Sequence, residues 1–235
     1  MRVKGQWPGE VGLRSGWGRA TARPWNETSD DAALRLVRGS AAFLVECAVW
    51  LCEAGASRVL TPPLDVSSQR VWLAAGFAPA IELDVFVRDL LRTVPEPARE
   101  VVVGDADDWQ AAIAVDDAAF DEDWRMGPLG LAEARRSTPR SVFLATRDAD
   151  RLTGFVIVGA AVSTGYLQRL AVDPADRGRG FGRDLVRAAC RWAAGQGATR
   201  IILNTQPDNA AAAALYRSEG FTVSRGSLAV LARAC

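Results

Sequence analysis

Residues 172–185 read Val172-Asp173-Pro174-Ala175-Asp176-Arg177-Gly178-Arg179-Gly180-Phe181-Gly182-Arg183-Asp184-Leu185. The apolar residues up to Val172 are typical of a strand, and the pattern after Gly180 is typical of an amphipathic helix. The first turn of a helix leaves backbone N–H groups without partners, and the helix dipole makes that end positive. Glycines let the backbone close around a bound group without Cβ clashes. The stretch therefore predicts an anion-binding turn, to which nearby arginines add positive charge.

Two common nucleotide-binding loops fit this turn less well. A Walker loop ends in Gly-Lys-Ser/Thr, whereas the only lysine of the chain is Lys4. A Rossmann fingerprint has the spacing GxGxxG, whereas Gly178, Gly180 and Gly182 alternate here and position 183 is Arg. A plain flexible turn is the remaining alternative. The strand before the turn and the helix after it favour the anion-binding interpretation.

The sequence around the turn carries a recognisable set of motifs. Residues 177–182 fit the pattern Arg/Gln-x-x-Gly-x-Gly/Ala, and an apolar strand at 167–172 precedes them. Asn209, Leu215-Tyr216 and Gly220-Phe221 follow in order. In these features residues 98–234 resemble the GCN5-related N-acetyltransferase (GNAT) family. Within the family, residues 120–124 and 164–221 look most similar to the ribosomal-protein alanine acetyltransferases.

The resemblance implies a mixed α/β fold of the α+β type, with a mostly antiparallel sheet, splayed strands and flanking helices. It also implies an acetyl-CoA-dependent N-acetyltransferase, without a metal, that passes the acetyl group directly to a primary amine of a small molecule or a protein N-terminus. The amide near Leu170 would polarise the thioester carbonyl, and Tyr216 would protonate the departing thiolate. An aromatic residue in a packing seam is the alternative role for Tyr216. The implied cofactor-binding residues are Leu170, Ala171, Val172, Arg177, Gly178, Arg179, Gly180, Phe181, Gly182, Arg183, Asn209 and Tyr216.

The resemblance leaves the general base open. The most similar members carry a glutamate on the strand after the cofactor helix, whereas the matching residue here is Asn204, which cannot take a proton. A carboxylate in the loop that usually lines the acceptor site could accept the proton directly or through water, and Gln168 could instead position a water. A solvated acidic loop is the alternative interpretation. The candidate acceptor-binding residues are Phe120, Asp121, Glu122, Asp123, Trp124 and Gln168.

The two halves of the chain resemble each other. Gly55–Leu60 matches Gly197–Ile202, Trp72 falls on Tyr216, and Gly76-Phe77 falls on Gly220-Phe221. Chance matching is the alternative, but the matches come in order with a single gap, which favours a duplicated half-domain. We therefore expect a degenerate GNAT-like half at 1–92, a linker at 93–97 and a catalytic domain at 98–235. Actinobacterial mycothiol synthases resemble this plan.

Periodicity predicts the secondary structure. The predicted helices are 30–54 (mostly helical), 67–75, 106–120, 130–137, 181–194 and 209–218, and short strands are expected in 1–30. The predicted strands are 57–61, 80–88, 100–103, 141–146, 154–161, 166–172, 200–204 and one or two strands in 221–232.

Composition excludes several classes of function. The chain of 235 residues has no histidine, which excludes a Ser-His-Asp or Cys-His nucleophile and a His-ligated metal. Its formal net charge of +0 argues against nucleic-acid or anionic-membrane partners. Scattered cysteines and the lack of an apolar leader predict reduced thiols in a cytoplasmic protein. We expect this protein to be a monomer or a homodimer.

Rival functions remain open at this point. The protein could be a non-catalytic acetyl-CoA-binding module, because Asn204 removes the expected base. It could also transfer the acyl group to a thiol, or use a longer acyl donor.

Overall fold

The computed structural model describes residues 1–235 and contains twelve strands and six helices. The strands are β1 (Arg2–Lys4), β2 (Val11–Ser15), β3 (Gly18–Pro24), β4 (Ala32–Arg38), β5 (Arg58–Leu60), β6 (Ala78–Asp89), β7 (Val102–Val103), β8 (Arg140–Asp148), β9 (Arg151–Ala161), β10 (Thr164–Val172), β11 (Arg200–Thr205) and β12 (Thr222–Ala234). The helices are α1 (Ala41–Glu53), α2 (Val66–Leu73), α3 (Ala106–Ala119), α4 (Pro128–Arg136), α5 (Phe181–Gly195) and α6 (Ala210–Ser218). None of these helices has both the length and the apolar character needed to cross a membrane.

The chain forms two compact units. One comprises Met1–Asp84 and Arg225–Cys235, and the other comprises Val85–Ser224. Strands β6 and β12 each run from one unit into the other along the chain. The segment 93–97 lies in the second unit, where Val94 and Leu90 belong to the same hydrophobic cluster.

The first unit is a sheet covered by α1 and α2. Its strands follow the order β1-β2-β3-β4-β5, and the end of β12 pairs antiparallel with β5. The parallel pair β4–β5 is joined through α1, which buries Leu44, Cys47 and Leu51 on one face. Helical spacing of these apolar residues explains why the segment folds as a helix against the sheet.

The prediction of a mostly helical segment at 30–54 is wrong for its first part. Residues Ala32–Arg38 form strand β4, in which Ala32 and Leu34 are fully buried and alternate with more exposed neighbours. Alanine, leucine and arginine all favour helices, so the local sequence predicted a helix. Pairing with β3 and β5 instead holds the segment as a strand, in which burial alternates from one residue to the next.

The expectation that all cysteines are reduced is also wrong. Cys52 and Cys235 form a disulfide across a sequence separation of 183 residues, while Cys47 and Cys190 are free and buried. The bonded pair meets because Ala234 pairs with Arg58 in the β12–β5 ladder, which brings the chain end beside the end of α1. Spacing along the sequence carries no trace of this adjacency.

The second unit buries its sheet on both faces. Its strand order is β6-β11-β10-β9-β8-β7. The pairs β7–β8, β8–β9 and β9–β10 are antiparallel, whereas β10 and β11 pair in parallel. In β9, Val156 and Val158 pack in one cluster with α5, whereas Phe155 and Ile157 pack in another with α3 and α4. Helices on both sides explain why this strand is a continuous apolar run rather than an alternating one.

The internal repeat is visible in each unit. Each contains a strand–helix–strand–helix series whose two strands are parallel, β4-α1-β5-α2 in one and β10-α5-β11-α6 in the other. Gly76 and Gly220 both have a φ of +82° directly before the matched phenylalanines. The ring of Trp72 lies 5.0 Å from that of Phe77, and the ring of Tyr216 lies 5.8 Å from that of Phe221. The sequence echo therefore corresponds to a repeated local structure.

The matched glycines give a test of this structure. Gly76→Ala and Gly220→Ala should each lower the free energy of unfolding by about 1–2 kcal/mol, because a left-handed φ strains a residue with a Cβ. Gly195→Ala, in α5 with open space around the new methyl group, should leave it unchanged or raise it by up to about 1 kcal/mol. Urea denaturation followed by circular dichroism measures these values. Equal effects at Gly195 and Gly220 would contradict the assigned backbone conformations.

Candidate functional site

Strand β10 has an open backbone edge. It pairs with β11 only from Thr164↔Arg200 to Tyr166↔Ile202, yet its pairing with β9 continues to Val172↔Gly154. The two parallel strands therefore separate after Tyr166. Because alternate backbone groups of a strand point to each neighbour, part of the N–H and C=O groups of residues 167–172 face this gap.

A β-bulge lies at the start of the open edge. The ladder with β9 shifts register between Leu167 and Arg169, so Gln168 is the extra residue. Leu170 and Val172 are half-buried after the bulge, and Ala171 is buried. Bulges re-aim side chains and are common beside functional sites.

The glycine turn follows the open edge directly. Gly178 and Gly180 have φ values of +78° and +96°, and Gly180 caps α5 without a side-chain hydrogen bond. The backbone N–H groups of Gly178, Gly180, Phe181 and Gly182 donate to no backbone carbonyl. A Cβ on Gly178 would point into open space. The turn can thus accept an anion through backbone N–H groups.

The arginines of the turn are already paired. Arg177 donates to the carbonyl oxygen of Ala119 at 2.8 Å, and Arg183 pairs with Glu219 at 3.0 Å. Arg179 pairs with Asp176 and with Asp148, and it holds the pKa of Asp148 below its usual range. Anion attraction at the turn therefore rests more on backbone N–H groups than the sequence predicted.

Arg99 braces the turn, and sequence reasoning missed it. Its Nη2 donates to the carbonyl oxygen of Arg179 at 2.6 Å, and its Nη1 pairs with the buried carboxylate of Asp184 at 2.9 Å. The guanidinium also lies 4.9 Å from the ring centroid of Phe181. A Cβ on Gly180 would lie 2.9 Å from Nη1 and would displace this guanidinium, while the φ of +96° itself favours glycine.

Tyr216 presents a protonated hydroxyl in a largely buried position. The residue is 6% exposed on α6, where its ring packs against Phe86 and Phe221. Its hydroxyl forms no hydrogen bond within the protein. Burial raises the pKa of Tyr216 to about 12, and the charge of Arg169 opposes this rise. A tyrosine in this state can donate a proton throughout the neutral and alkaline range.

Asn209 and Asn204 have different positions. The side-chain oxygen of Asn209 accepts a hydrogen bond from the N–H of Ala212 and caps α6. Asn204 is exposed on β11. The cap sets the start of the helix that carries Tyr216.

A buried ion pair lies behind the bulge. Arg169 contacts Asp116 through two hydrogen bonds of 2.6 and 2.8 Å, and their side chains are 9% and 0% exposed. The same guanidinium donates to the carbonyl oxygen of Trp124 at 2.8 Å and stacks 3.4 Å from the ring centroid of Phe120. Asp116 also accepts from the N–H of Met126 at 2.7 Å. One ion pair thus joins β10, α3 and residues 120–126.

The structure places the candidate acceptor residues in three different environments. Phe120 and Trp124 are half-buried and contact Arg169, whereas Asp121, Glu122 and Asp123 are exposed in the short 3-10 turn of this loop. Gln168 donates through Nε2 to Ser137 Oγ at 2.6 Å and Thr138 Oγ1 at 3.3 Å. The polar pair Gln168-Arg169 interrupting an apolar strand was the sequence signal for the bulge and its ion pair.

Comparison with known families identifies this part of the chain. The family model for the acetyltransferase (GNAT) family matches residues 109–221. These residues form a GNAT domain. The match covers α3, the bulged strand, the glycine turn and Tyr216.

Curated proteins similar to this chain include mycothiol acetyltransferases. The chain is 32% identical over 128 residues to the one from Kocuria rhizophila. This aligned region covers 48% of this chain and 42% of the relative. It is 30% identical over 174 residues to the one from Nocardioides. Here the aligned region covers 63% of this chain and 59% of the relative. The chain thus spans roughly half the length of these relatives.

Solved structures extend the GNAT fold over both units. A tandem GNAT protein from the clavulanic acid biosynthesis pathway gives a TM-score of 0.65 at 15% identity, covering 96% of this chain and 82% of that one. A GNAT protein described as a putative acetyltransferase from Novosphingobium aromaticivorans gives 0.62 at 20% identity, covering 95% and 91%. At these identities the likeness concerns the fold alone.

The buried ion pair of the GNAT domain predicts a large effect on stability. Asp116→Ala should lower the free energy of unfolding by about 3–5 kcal/mol, because it leaves the Arg169 charge buried without its partner. Asp117→Ala, at the exposed neighbouring position, should change it by no more than about 0.5 kcal/mol. Chemical denaturation of the two variants measures the difference, and similar values would refute the importance of the pair.

Proposed function

We propose that the GNAT domain is an acetyl-CoA-dependent N-acetyltransferase that passes the acetyl group directly to a primary amine of a small molecule or a protein N-terminus. One observation carries this proposal. An open strand edge, an uncapped glycine turn and a largely buried tyrosine whose hydroxyl has no partner within the protein occur together in one unit. These features suit three parts of acetyl-CoA: the strand edge its amide-containing arm, the turn its pyrophosphate, and the tyrosine its thioester.

The residues present fit acetyl-CoA. The N–H groups at Gly178–Gly182 would hold the pyrophosphate, and Gly178 leaves room for it. The backbone at Leu170, Ala171 and Val172 would pair with the pantetheine arm where β11 has diverged. Asn209 would contribute through the cap that fixes the start of α6. The paired arginines Arg177, Arg179 and Arg183 would fix the conformation of the turn and add contacts to the phosphates.

The proposed reaction has one chemical step. The amine nitrogen attacks the thioester carbonyl carbon, so that a C–N bond forms and the C–S bond breaks. The amide near Leu170 stabilises the negative charge on the carbonyl oxygen, and Tyr216 gives its proton to the departing sulfur. The nitrogen loses one proton to water or to a carboxylate of the acceptor loop, because Asn204 cannot accept it. The phenol is reprotonated from solvent.

The first unit supports the proposal of a degenerate GNAT half at 1–92. Its α1 is capped by Ser40, whose side chain accepts from the N–H of Phe43, so an amide that a ligand would need is already satisfied. The ring of Phe43 occupies the space beside Gly18 and Gly39. Trp72 stands where the second unit has Tyr216 and offers no hydroxyl. We infer that acetyl-CoA binds only to the catalytic domain at 98–235, beyond the linker at 93–97.

Binding of acetyl-CoA gives the first test of this function. Acetyl-CoA at about 100 times its dissociation constant should stabilise the protein by about 2.7 kcal/mol, measured as a rise in melting temperature. Gly178→Asp should abolish the rise, since it places a negative charge in the open turn, while Gly178→Asn should reduce it less. Both residues tolerate a positive φ, so the unliganded melting temperatures should agree. No stabilisation of the unmodified protein would refute the proposal.

The role of Tyr216 gives the second test. Tyr216→Phe should lower kcat about 100-fold or more with little change in the KM for acetyl-CoA, because it removes the proton donor. Tyr166→Phe, at the other tyrosine, which is 37% exposed, should leave kcat unchanged. Since the pKa of Tyr216 is raised to about 12, its hydroxyl stays protonated and kcat should not fall between pH 8 and pH 10. Steady-state assays with an acceptor panel measure these values.

The alternative is a non-catalytic acetyl-CoA-binding module, which Asn204 favours because it removes the expected base. That module would show the melting-temperature rise with acetyl-CoA but no transfer to any acceptor in the panel. Thiol acceptors and longer acyl donors belong in the same panel.

A further inference from the structure

Gln168 holds an acceptor oxygen that the protein leaves unused. Its side-chain Nε2 donates to Ser137 Oγ at 2.6 Å and to Thr138 Oγ1 at 3.3 Å. Its Oε1 is buried and has no hydrogen-bond partner. An acceptor that is shielded from water and unpaired costs free energy, so such atoms are uncommon without a ligand or a bound water to satisfy them.

The orientation of this amide is locked by its two hydroxyl partners. Ser137 Oγ donates to the carbonyl oxygen of Ala134 at 2.9 Å, and Thr138 Oγ1 donates to that of Arg140 at 2.9 Å. Each hydroxyl has only one hydrogen, so each can only accept from Gln168. The amide nitrogen must therefore face the hydroxyls. A flipped amide would set its oxygen against two hydroxyls that have no hydrogen left to give.

Gly159 on β9 makes room for this arrangement. A Cβ at Gly159 would collide with Thr138 Oγ1 and would lie 2.7 Å from Gln168 Nε2. The missing side chain of Gly159 thus leaves space for the Gln168 amide and its partner Thr138. The orphaned oxygen is part of a built site rather than a loosely packed surface group.

Gln168 also lies close to the proposed reaction centre along β10. Gln168 is the extra residue of the bulge, two positions before Leu170 and next to Arg169, which binds the loop at Phe120–Trp124. It stands where β10 has just lost its pairing with β11. A donor that satisfies the oxygen would come from the molecule that enters this gap.

We propose that Gln168 Oε1 accepts an N–H from the attacking amine and thereby selects primary amines over thiols. The inference rests on the proposed function and deepens it. A neutral primary amine has two N–H bonds and a lone pair. One N–H bonded to Gln168 aims the lone pair at the thioester carbonyl carbon and remains on nitrogen in the amide product, while the other proton leaves.

A thiol fails at the same position. It must lose its single hydrogen to become a thiolate, which leaves no donor for Gln168 and sets a negative sulfur against the amide oxygen. A site built to bond an N–H discriminates strongly against an acceptor that lacks one. Secondary amines should fall between the two, since their product keeps no N–H.

Two matched acceptors test this selectivity: S-methylcysteamine offers only a primary amine, and N-acetylcysteamine offers only a thiol as nucleophile. Gln168→Leu should lower kcat/KM for the amine about tenfold to hundredfold and leave the thiol value and the melting-temperature rise with acetyl-CoA unchanged. Gln196→Leu, at the end of α5, is the matched control and should alter none of them. Amine transfer by Gln168→Leu at the rate of the unmodified protein would overturn the proposal.

A second measurement needs no turnover and so separates this proposal from the proposed function. The side-chain amide resonance of Gln168, assigned by its loss in Gln168→Leu, should shift when S-methylcysteamine is added to the protein saturated with CoA. N-acetylcysteamine should cause no comparable shift. An absent shift with the amine, or an equal shift with the thiol, would overturn the role of Gln168 even if acetyl transfer occurs.

Discussion

The buried pair of Arg169 and Asp116 is the interaction on which the site depends. Removing two charges from water is costly, and the cost is offset only when every remaining donor and acceptor finds a partner. Here the two-point contact is completed by the carbonyl of Trp124, the N–H of Met126 and the ring of Phe120. The pair therefore holds helix α3, the following loop and the bulge of β10 in one arrangement.

That arrangement explains how β10 keeps an open edge. A strand with unpaired backbone groups tends to pair with whatever is near, unless its position is fixed by other contacts. Strand β10 is held by its pairing with β9 as far as Val172 and by the ion pair of its Arg169 with Asp116 on α3, while β11 diverges after Tyr166. The turn beyond is fixed in a comparable way, because Arg99 and Arg179 tie its backbone and side chains to Asp184 and Asp176. What remains unpaired in both places is backbone, which suits a ligand rich in phosphate and amide groups.

Local features of the sequence predicted the fold and the turn well. Glycine spacing, the apolar strand before it and the amphipathic helix after it are properties of adjacent residues, and the positive φ values at Gly178 and Gly180 agree with them. Features set by distant partners were not predictable. Arg99 and Asp184 are 85 residues apart, Arg169 and Asp116 are 53 apart, and the bonded cysteines are 183 apart. Strand β4 was not predicted for a similar reason, since only its neighbours override the helical propensity of Ala32–Arg38.

The two halves show how one scaffold can keep its packing and lose a ligand site. Trp72 and Tyr216 fill corresponding seams against Phe77 and Phe221, so either aromatic serves the core. The helix starts differ, because Ser40 satisfies an amide of α1 with its own side chain, whereas Gly180 leaves the amides of α5 open. A capped helix start is more stable by itself, and an open one is stabilised only when an anion arrives. An open start therefore costs stability in the absence of ligand, which is why its presence in the second unit alone argues that this unit binds one.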